Sequence, residues 1–263
     1  MNVAVTTTRE KDEDLKLKAE KISKDLNISY IKRNNLSINK TIKQENLDYL
    51  LVVEKDKLVI RGEDTEVFWH PNMTELKIKS IKQGNKESMI EATELKEGDS
   101  SLDCTLGFAG DSIIFASVVG EKGTVVGTEV NKYIAYLAQD GLKNYNEVND
   151  ETKKYMNSIK VINTSYKNYL SKQPDNSFDV VYFDPMFKEP NKKSSSINAF
   201  RSFTEHEGLS KEDIKEALRV CRRRIVIKER YGLNNLKELG VQRYYGGTRR
   251  GSIAYGVIEK SIS

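Results

Sequence analysis

One stretch constrains the chain more than any other: Ser101-Leu102-Asp103-Cys104-Thr105-Leu106-Gly107-Phe108-Ala109-Gly110-Asp111. A short apolar run ends in an acid, a turn with two glycines follows, and an apolar helical pattern (Ile113, Ile114, Ala116, Val118) comes next. Strand, glycine turn and helix in that order open a nucleotide-binding α/β unit. Gly107 and Gly110 let the backbone turn tightly and approach a ligand, and the helix N-terminus offers unpaired N–H donors beside it. A second strand over 123–129 ends in Glu129, about 20 residues further on, where such folds place the acid that holds ribose hydroxyls. The glycines do not spell G-x-G-x-x-G, because Ala109 takes the middle position and no loop for a pyrophosphate is evident. A ligand with a ribose and no phosphate fits better, and S-adenosylmethionine is the commonest of these. An NAD-dependent oxidoreductase is disfavoured on the same ground.

The alternation continues. The pattern predicts a helix over 130–142 with Val130, Ile134, Leu137 and Ala138 inward, and a polar loop with partial helix over 144–154. A third strand over 159–163 follows, with Thr164 and Ser165 just past its end. The fourth, 178–183, is strongly apolar and therefore central. A helix over 210–220 starts on Ser210 as N-cap, a fifth strand covers 224–228, and 241–245 with 253–258 form a closing antiparallel pair. This is an α/β chain with a mostly parallel sheet, an antiparallel edge strand and helices on both faces, and ligands in such sheets sit at the C-terminal strand ends.

Residues 1–69 read as a separate small α/β unit: a strand at 3–5, a helix over 13–26 with Leu15, Ala19, Ile22 and Leu26 on one face, a strand at 28–31, a weaker helix over 37–44, and strands at 49–53 and 57–61. Phe68-Trp69-His70-Pro71 breaks the pattern, and a hinge with a packed Trp is favoured there over a catalytic His70. A helix from Asn72 with Met73, Leu76 and Ile81 as its apolar positions and a short helix over 87–95 lead into the central strand.

With 263 residues, 38% of them hydrophobic, the chain can bury a sizeable core. No run approaches 18 apolar residues, so no membrane span is expected, and the N-terminus lacks the pattern of a signal peptide. Two isolated cysteines, Cys104 and Cys221, point to buried thiols in a reducing compartment, the cytoplasm. They and the two histidines show no ligand spacing, so no metal site is expected. Net charge is only +4, but Arg219, Arg222, Arg223, Arg224, Lys228 and Arg230 crowd one stretch, and Lys77, Lys79 and Lys82 another. Such clusters track a phosphate backbone or simply form a solvated face, and both readings stay open.

The fourth strand runs into Asp184-Pro185-Met186-Phe187. An exocyclic amine on a base is a poor nucleophile because its lone pair is delocalised into the ring. Acceptors that hold its N–H groups let the lone pair point at an electrophilic methyl. The Asp184 carboxylate and the Pro185 carbonyl suit that task, proline fixing φ and aiming its carbonyl, while Phe187 suits stacking on an extruded base. The bland alternative is an Asp-Pro turn after a strand. Joined to the glycine turn and Glu129, the motif favours catalysis. The polar run 188–196 beyond it reads as a mobile loop.

The segments 103–111, Gly141-Leu142 and 179–187, with Val226-Ile227-Lys228, resemble the family of small-subunit ribosomal RNA guanine-N2 methyltransferases and its Gram-positive relatives. The resemblance covers roughly residues 68 to 230. The glycine turn is generic to class I methyltransferases, whereas Asp-Pro-Met-Phe in this context is fairly specific. Ala109 stands where the family has a second turn glycine, Lys188 where it commonly has proline, and the resemblance to the characterised rRNA enzymes does not extend to the N-terminal unit. The resemblance implies a Rossmann-like class I methyltransferase domain over 70–263 and S-adenosylmethionine as cofactor. It implies Asp103, Gly107 and Asp111 around the methionine end, Glu129 on the ribose and Thr164 or Ser165 near the adenine, with Thr105, Gly110 and Val130 in the same donor site. It implies Asp184, Pro185 and Phe187 as catalytic residues and RNA, ribosomal RNA above all, as partner. Alternatives are methylation of a protein or small molecule, or a non-catalytic RNA-binding module on the same fold. The basic residues Arg9, Lys32 and Arg33 suggest that residues 1–69 position RNA.

Overall fold

The computed structural model describes residues 1–8, 12–185, 208–232, 236–250 and 252–261. Phe187, the run 188–196, Arg9 and His206 lie outside them. The described chain divides into two compact units. One holds Met1–His70 with Tyr136–Tyr145, and the other the remaining described residues.

In the first unit, strands β1 (Val3–Thr7), β2 (Tyr49–Val53), β3 (Leu58–Arg61) and β4 (Glu66–Phe68) form a sheet in that order, β1 and β2 parallel and the rest antiparallel. Helix α1 (Glu13–Leu26) buries Leu15, Ala19, Ile22 and Leu26, the stripe its periodicity predicts. Asp12 caps it by accepting from the N–H groups of Asp14 and Leu15, and Asn27 ends it in the left-handed region. Helix α2 (Ile38–Gln44) starts on Ser37. The strand expected at 28–31 reduces to one bridge, Val5 to Tyr30, because Asn34 and Asn35, both at positive φ, turn the chain away just beyond. Arg33 donates to the carbonyls of Thr7 and Leu36, so its guanidinium ties this turn down. Trp69 is buried and packs edge-on against Tyr145, whose hydroxyl meets His70 Nε2 at 3.1 Å.

The second unit holds helices α3 (Thr74–Lys82), α4 (Ser88–Thr93), α5 (Gly110–Val119), α7 (Asp150–Ser158), α8 (Tyr166–Leu170) and α9 (Lys211–Val220); α6 (Lys132–Asn144) starts in it. Its strands are β5 (Ser100–Asp103), β6 (Thr124–Glu129), β7 (Ile159–Asn163), β8 (Phe178–Phe183), β9 (Cys221–Arg230), β10 (Arg243–Gly246) and β11 (Ile253–Glu259), ordered β7-β6-β5-β8-β9-β11-β10. All run parallel except β11, which is antiparallel to both neighbours and sits one place in from the edge. The central strands β5 and β8 are almost wholly buried, as strands covered on both faces are. Leu102, Val181, Phe183, Ile225 and Ile227 join α9's Ile214 and Ala217 in one core. Ser210 and Asp213 cap α9 reciprocally. Both cysteines are free and buried. No helix among the described residues is long and apolar enough to cross a membrane.

Several sequence expectations change. Helix α3 buries Thr74 and Ile78, four apart, and leaves Met73 and Leu76 exposed; Met73 precedes the helix and Leu76 lies on its far side. Val130 is exposed rather than inward, because α6 starts at Lys132 on Asn131, whose side chain accepts from the N–H groups of Tyr133 and Ile134. The polar stretch before β7 contains a full helix, α7, capped by Asn149 and anchored by buried Thr152 and Met156. Four arginines of the basic cluster are paired with carboxylates. Arg219 pairs with Asp175 and Glu216, Arg222 with Asp179, Arg223 with Asp99, and Arg224, 6% exposed, with Glu94 and Glu259.

Candidate active site

The site forms where the C-terminal ends of β5, β6, β8 and β9 meet the first turn of α5. The turn after β5 is held from within. Asp103, 2% exposed, accepts from the N–H of Thr105 at 3.0 Å and the hydroxyl of Ser112 at 2.7 Å. Burial pushes its pKa up to about 7 against those two hydrogen bonds. Asp103 therefore ties β5 to α5 and is enclosed in doing so. Gly107 takes φ +53°, which favours glycine, but the second left-handed residue is Ala109 at φ +63°, not Gly110. Leu106 lies over Gly127 of β6, where an added Cβ would come within 2.3 Å of Leu106 Cδ1, so the turn sits directly on the strand.

Glu129 closes β6 and is 7% exposed. Its Oε2 accepts from the N–H of Gly107 at 3.1 Å and its Oε1 from the N–H of Asn131 at 2.8 Å. Asn163 at the end of β7 donates to the carbonyls of Glu129 and Val130, and the N–H of Thr164 donates to the carbonyl of Glu129. Ser165 caps α8 through its hydroxyl. Glu129, Val130 and Thr164 are thus brought together, with Ser165 adjoining. Neither Asn131 nor Asn163 is evident in the motif; an Asn two residues after a strand-ending acid is an N-cap signal that would have found the first.

The other end of the site is a shared-cation network. Lys228 Nζ donates to Asp111 Oδ2 and to Asp184 Oδ2, each at 2.8 Å, and the hydroxyl of Tyr182 donates to Asp111 Oδ2 at 2.7 Å. The N–H of Asp184 donates to Thr105 Oγ1 at 2.6 Å, joining the acceptor motif to the donor turn. Burial raises the pKa of Asp111, but the charge and hydrogen bond of Lys228 and the bond from Tyr182 outweigh it and hold Asp111 below the usual carboxylate range. At Asp184 burial wins: with the charge of Asp111 it raises the pKa despite Lys228. Lys228 itself is costly to bury, yet the two carboxylates hold it well above an ordinary lysine. From sequence, Lys228 reads as one member of a basic run and as the end of the family-like Val226-Ile227-Lys228, with no role assigned to it. Its place beyond the apolar Ile225-Val226-Ile227 of a parallel strand, level with Asp184, was the available signal.

The side chains fit S-adenosylmethionine. A carboxylate whose oxygens are both fixed by main-chain donors, as in Glu129, is pre-organised for the vicinal hydroxyls of a ribose. The turn at Gly107, at positive φ, leaves its main chain free of a Cβ on the side of the site. Among the described residues no cluster of His, Cys, Asp and Glu suits a metal ion.

The chain is similar to several known proteins. The sequence profile of a family described as "Putative SAM-dependent methyltransferase" matches residues 31–249. The uncharacterised protein YpiP of Bacillus subtilis (strain 168) is 37% identical over 251 residues, spanning 92% of this chain and 97% of that one. Ribosomal RNA small subunit methyltransferase J of Francisella tularensis subsp. novicida (strain U112) is 30% identical over 167 residues, 63% of this chain and 67% of that one. A solved SAM-dependent methyltransferase from Aquifex aeolicus superposes with a TM-score of 0.41 at 18% identity, covering 69% of this chain and 97% of that one.

Proposed function

Because the chain belongs to this family of SAM-dependent methyltransferases and takes its methyl from S-adenosylmethionine, we propose that the acceptor is the exocyclic amine of a guanine in small-subunit ribosomal RNA. The observation that carries the reading is Asp184, fixed at the end of β8 by Lys228 and by Thr105. The relative named as a ribosomal RNA small subunit methyltransferase supports the choice of substrate.

When bound, S-adenosylmethionine supplies an electrophilic methyl on a sulfonium. Glu129 holds the ribose, with Val130, Thr164 and Ser165 at the adenine, and Gly107, Gly110 and Asp111 hold the methionine end, while Asp103 and Thr105 keep the turn in shape. Lys228 pins one oxygen of Asp184, and the carboxylate accepts an N–H of the amine. The Pro185 carbonyl accepts the other N–H. The lone pair of the nitrogen then points away from both acceptors, toward the methyl. Phe187 stacks on the extruded base. After transfer the nitrogen sheds a proton to Asp184 or to water. The raised pKa of Asp184 makes it a better proton acceptor than an ordinary carboxylate. Positioning does most of the work.

The test is transfer of labelled methyl to small-subunit ribosomal RNA transcribed in vitro, followed by mapping of the product nucleotide. Asp184→Ala is expected to lower kcat by about 10²–10⁴-fold with donor affinity retained. Full activity of that variant would sink the mechanism, and label in protein or small molecules alone would move the substrate class.

A further inference from the structure

Most arginines near β9 are committed to carboxylates, but the turn between β10 and β11 carries two that are not. Arg249 and Arg250 are exposed, and neither has a carboxylate within 4.0 Å among the described residues. Arg249 and Ser252 are bonded to each other. The N–H of Arg249 donates to Ser252 Oγ, while the N–H and hydroxyl of Ser252 donate to the carbonyl of Arg249. The base of the turn is locked to the end of β9 by the N–H of Tyr231 donating to the carbonyl of Ser252 at 2.8 Å. Tyr231 stands edge-on to Tyr244, ring centroids 5.7 Å apart, and is 40% exposed.

The strand register puts this turn on the catalytic edge of the sheet. Ile253 pairs with Arg230 and Tyr255 with Lys228, while Ile227 pairs with Phe183, the residue before Asp184. The turn thus begins two residues beyond Lys228 and two strands across from Asp184. At about 3.3 Å per residue and 4.8 Å per strand, that is roughly 12 Å from the acceptor carboxylate. Tyr255 lies close enough that the charges of Asp111, Lys228 and Asp184 all act on its hydroxyl. An exposed aromatic ring with two unpaired guanidinium groups is the pairing that holds single-stranded nucleic acid: a π-face for a base, fixed cations for phosphates.

We propose that the β10–β11 turn, through Arg249, Arg250 and the face of Tyr231, holds the single-stranded RNA flanking the methylated base. The proposal rests on RNA being the substrate and extends it by assigning the surface that grips the strand. The probe is small-subunit ribosomal RNA transcribed in vitro, used with the full-length protein and an Arg249→Gln/Arg250→Gln double variant. Loss of two phosphate contacts is expected to make the slope of log K against log salt shallower by about 1.4 and to weaken RNA binding about 25-fold at 0.1 M salt. KM for RNA should rise in step, with kcat and the calorimetric affinity for S-adenosylmethionine unchanged. An Arg249→Lys/Arg250→Lys variant should keep the wild-type slope. If the wild-type protein methylates the RNA and the Gln variant binds it with the same affinity and slope, the turn is not the grip and the substrate reading stands. If the wild-type protein neither binds nor methylates RNA, the substrate reading falls and the turn's assignment with it. A Gln variant that loses S-adenosylmethionine binding would overturn the assignment by showing the turn to be structural.

Discussion

Glu129 and Asp184 are both acids at the ends of parallel strands, but they are held by different means. The main chain grips Glu129: the N–H groups of Gly107 and Asn131 each fix one oxygen. Asp184 has its own N–H on Thr105, but among the described residues its carboxylate is held by one side chain, Lys228, shared with Asp111. A main-chain grip comes with the fold and ties up no flexible side chain. A side-chain grip can be tuned by one residue and lost with it, and ordering a lysine costs rotamer entropy that the contact must offset. The difference suits the division of labour. On the proposed mechanism, the donor pocket needs a fixed shape, and the carboxylate facing the methyl acceptor needs a protonation state that one neighbouring cation adjusts.

The largest effect expected from breaking the contrast is at Lys228. Lys228→Met removes the shared cation and leaves two carboxylates facing each other across the site. Without Lys228 the pair resists double ionisation, so the pKa governing Asp184 rises further. A base that must be ionised then works only at higher pH, and the acid limb of the kcat profile moves to higher pH. At neutral pH kcat should fall by about 10²–10³-fold, while affinity for S-adenosylmethionine changes much less. Stability should fall by about 3–5 kcal/mol, as when a buried pair loses one member, so a thermal melt accompanies the kinetics. Lys228→Arg, which keeps the charge, should restore the profile in part. An unmoved profile in Lys228→Met would show that Asp184 is held by something else.

A smaller and differently shaped effect is expected at Glu129. Glu129→Gln keeps the size but loses the charge and one of the two main-chain contacts. Calorimetric affinity for S-adenosylmethionine should fall about 10- to 100-fold, the worth of charge-assisted hydrogen bonds, with kcat at saturating donor within a few-fold of wild type. A fall in kcat with unchanged affinity would place Glu129 at the acceptor and erase the contrast.

The same contrast explains what could be read from sequence. The glycine turn and Glu129 were legible because they are local, their spacing following from the geometry of one β–α–β unit, and Asp184-Pro185 because it directly ends a strongly apolar strand. Strand order was legible to the extent that apolar runs betray buried central strands. Lys228 was not, because its meaning depends on β9 lying beside β8, and a lysine among five arginines reads as surface charge until the pairing is known. The pairing of the arginines was not legible either. Their carboxylate partners, Asp99, Asp179, Glu94 and Glu259, are scattered along the chain and converge only in the folded sheet. Met73 and Leu76 misled because a short helix with two buried positions offers too little periodicity to fix its inner face.

The smallest effect tests the turn itself. Gly107 and Ala109 both sit in the left-handed region, at φ +53° and +63°, but only one is glycine. For an alanine that conformation costs about 1–2 kcal/mol, which Ala109→Gly would relieve. The methyl is fully buried, however, and burial of one carbon contributes about 0.8 kcal/mol, while glycine adds about 0.5–1 kcal/mol of chain entropy to be lost on folding. These nearly cancel, so Ala109→Gly should shift stability by less than about 0.5 kcal/mol and Tm by no more than about 2 °C. Gly107→Ala has no burial to gain in compensation that the turn was built around, and should lose about 1 kcal/mol. Denaturant melts of the two variants side by side measure both. A gain of more than about 1 kcal/mol in Ala109→Gly would mean that the buried methyl does little and that the turn carries strain the rest of the fold sustains.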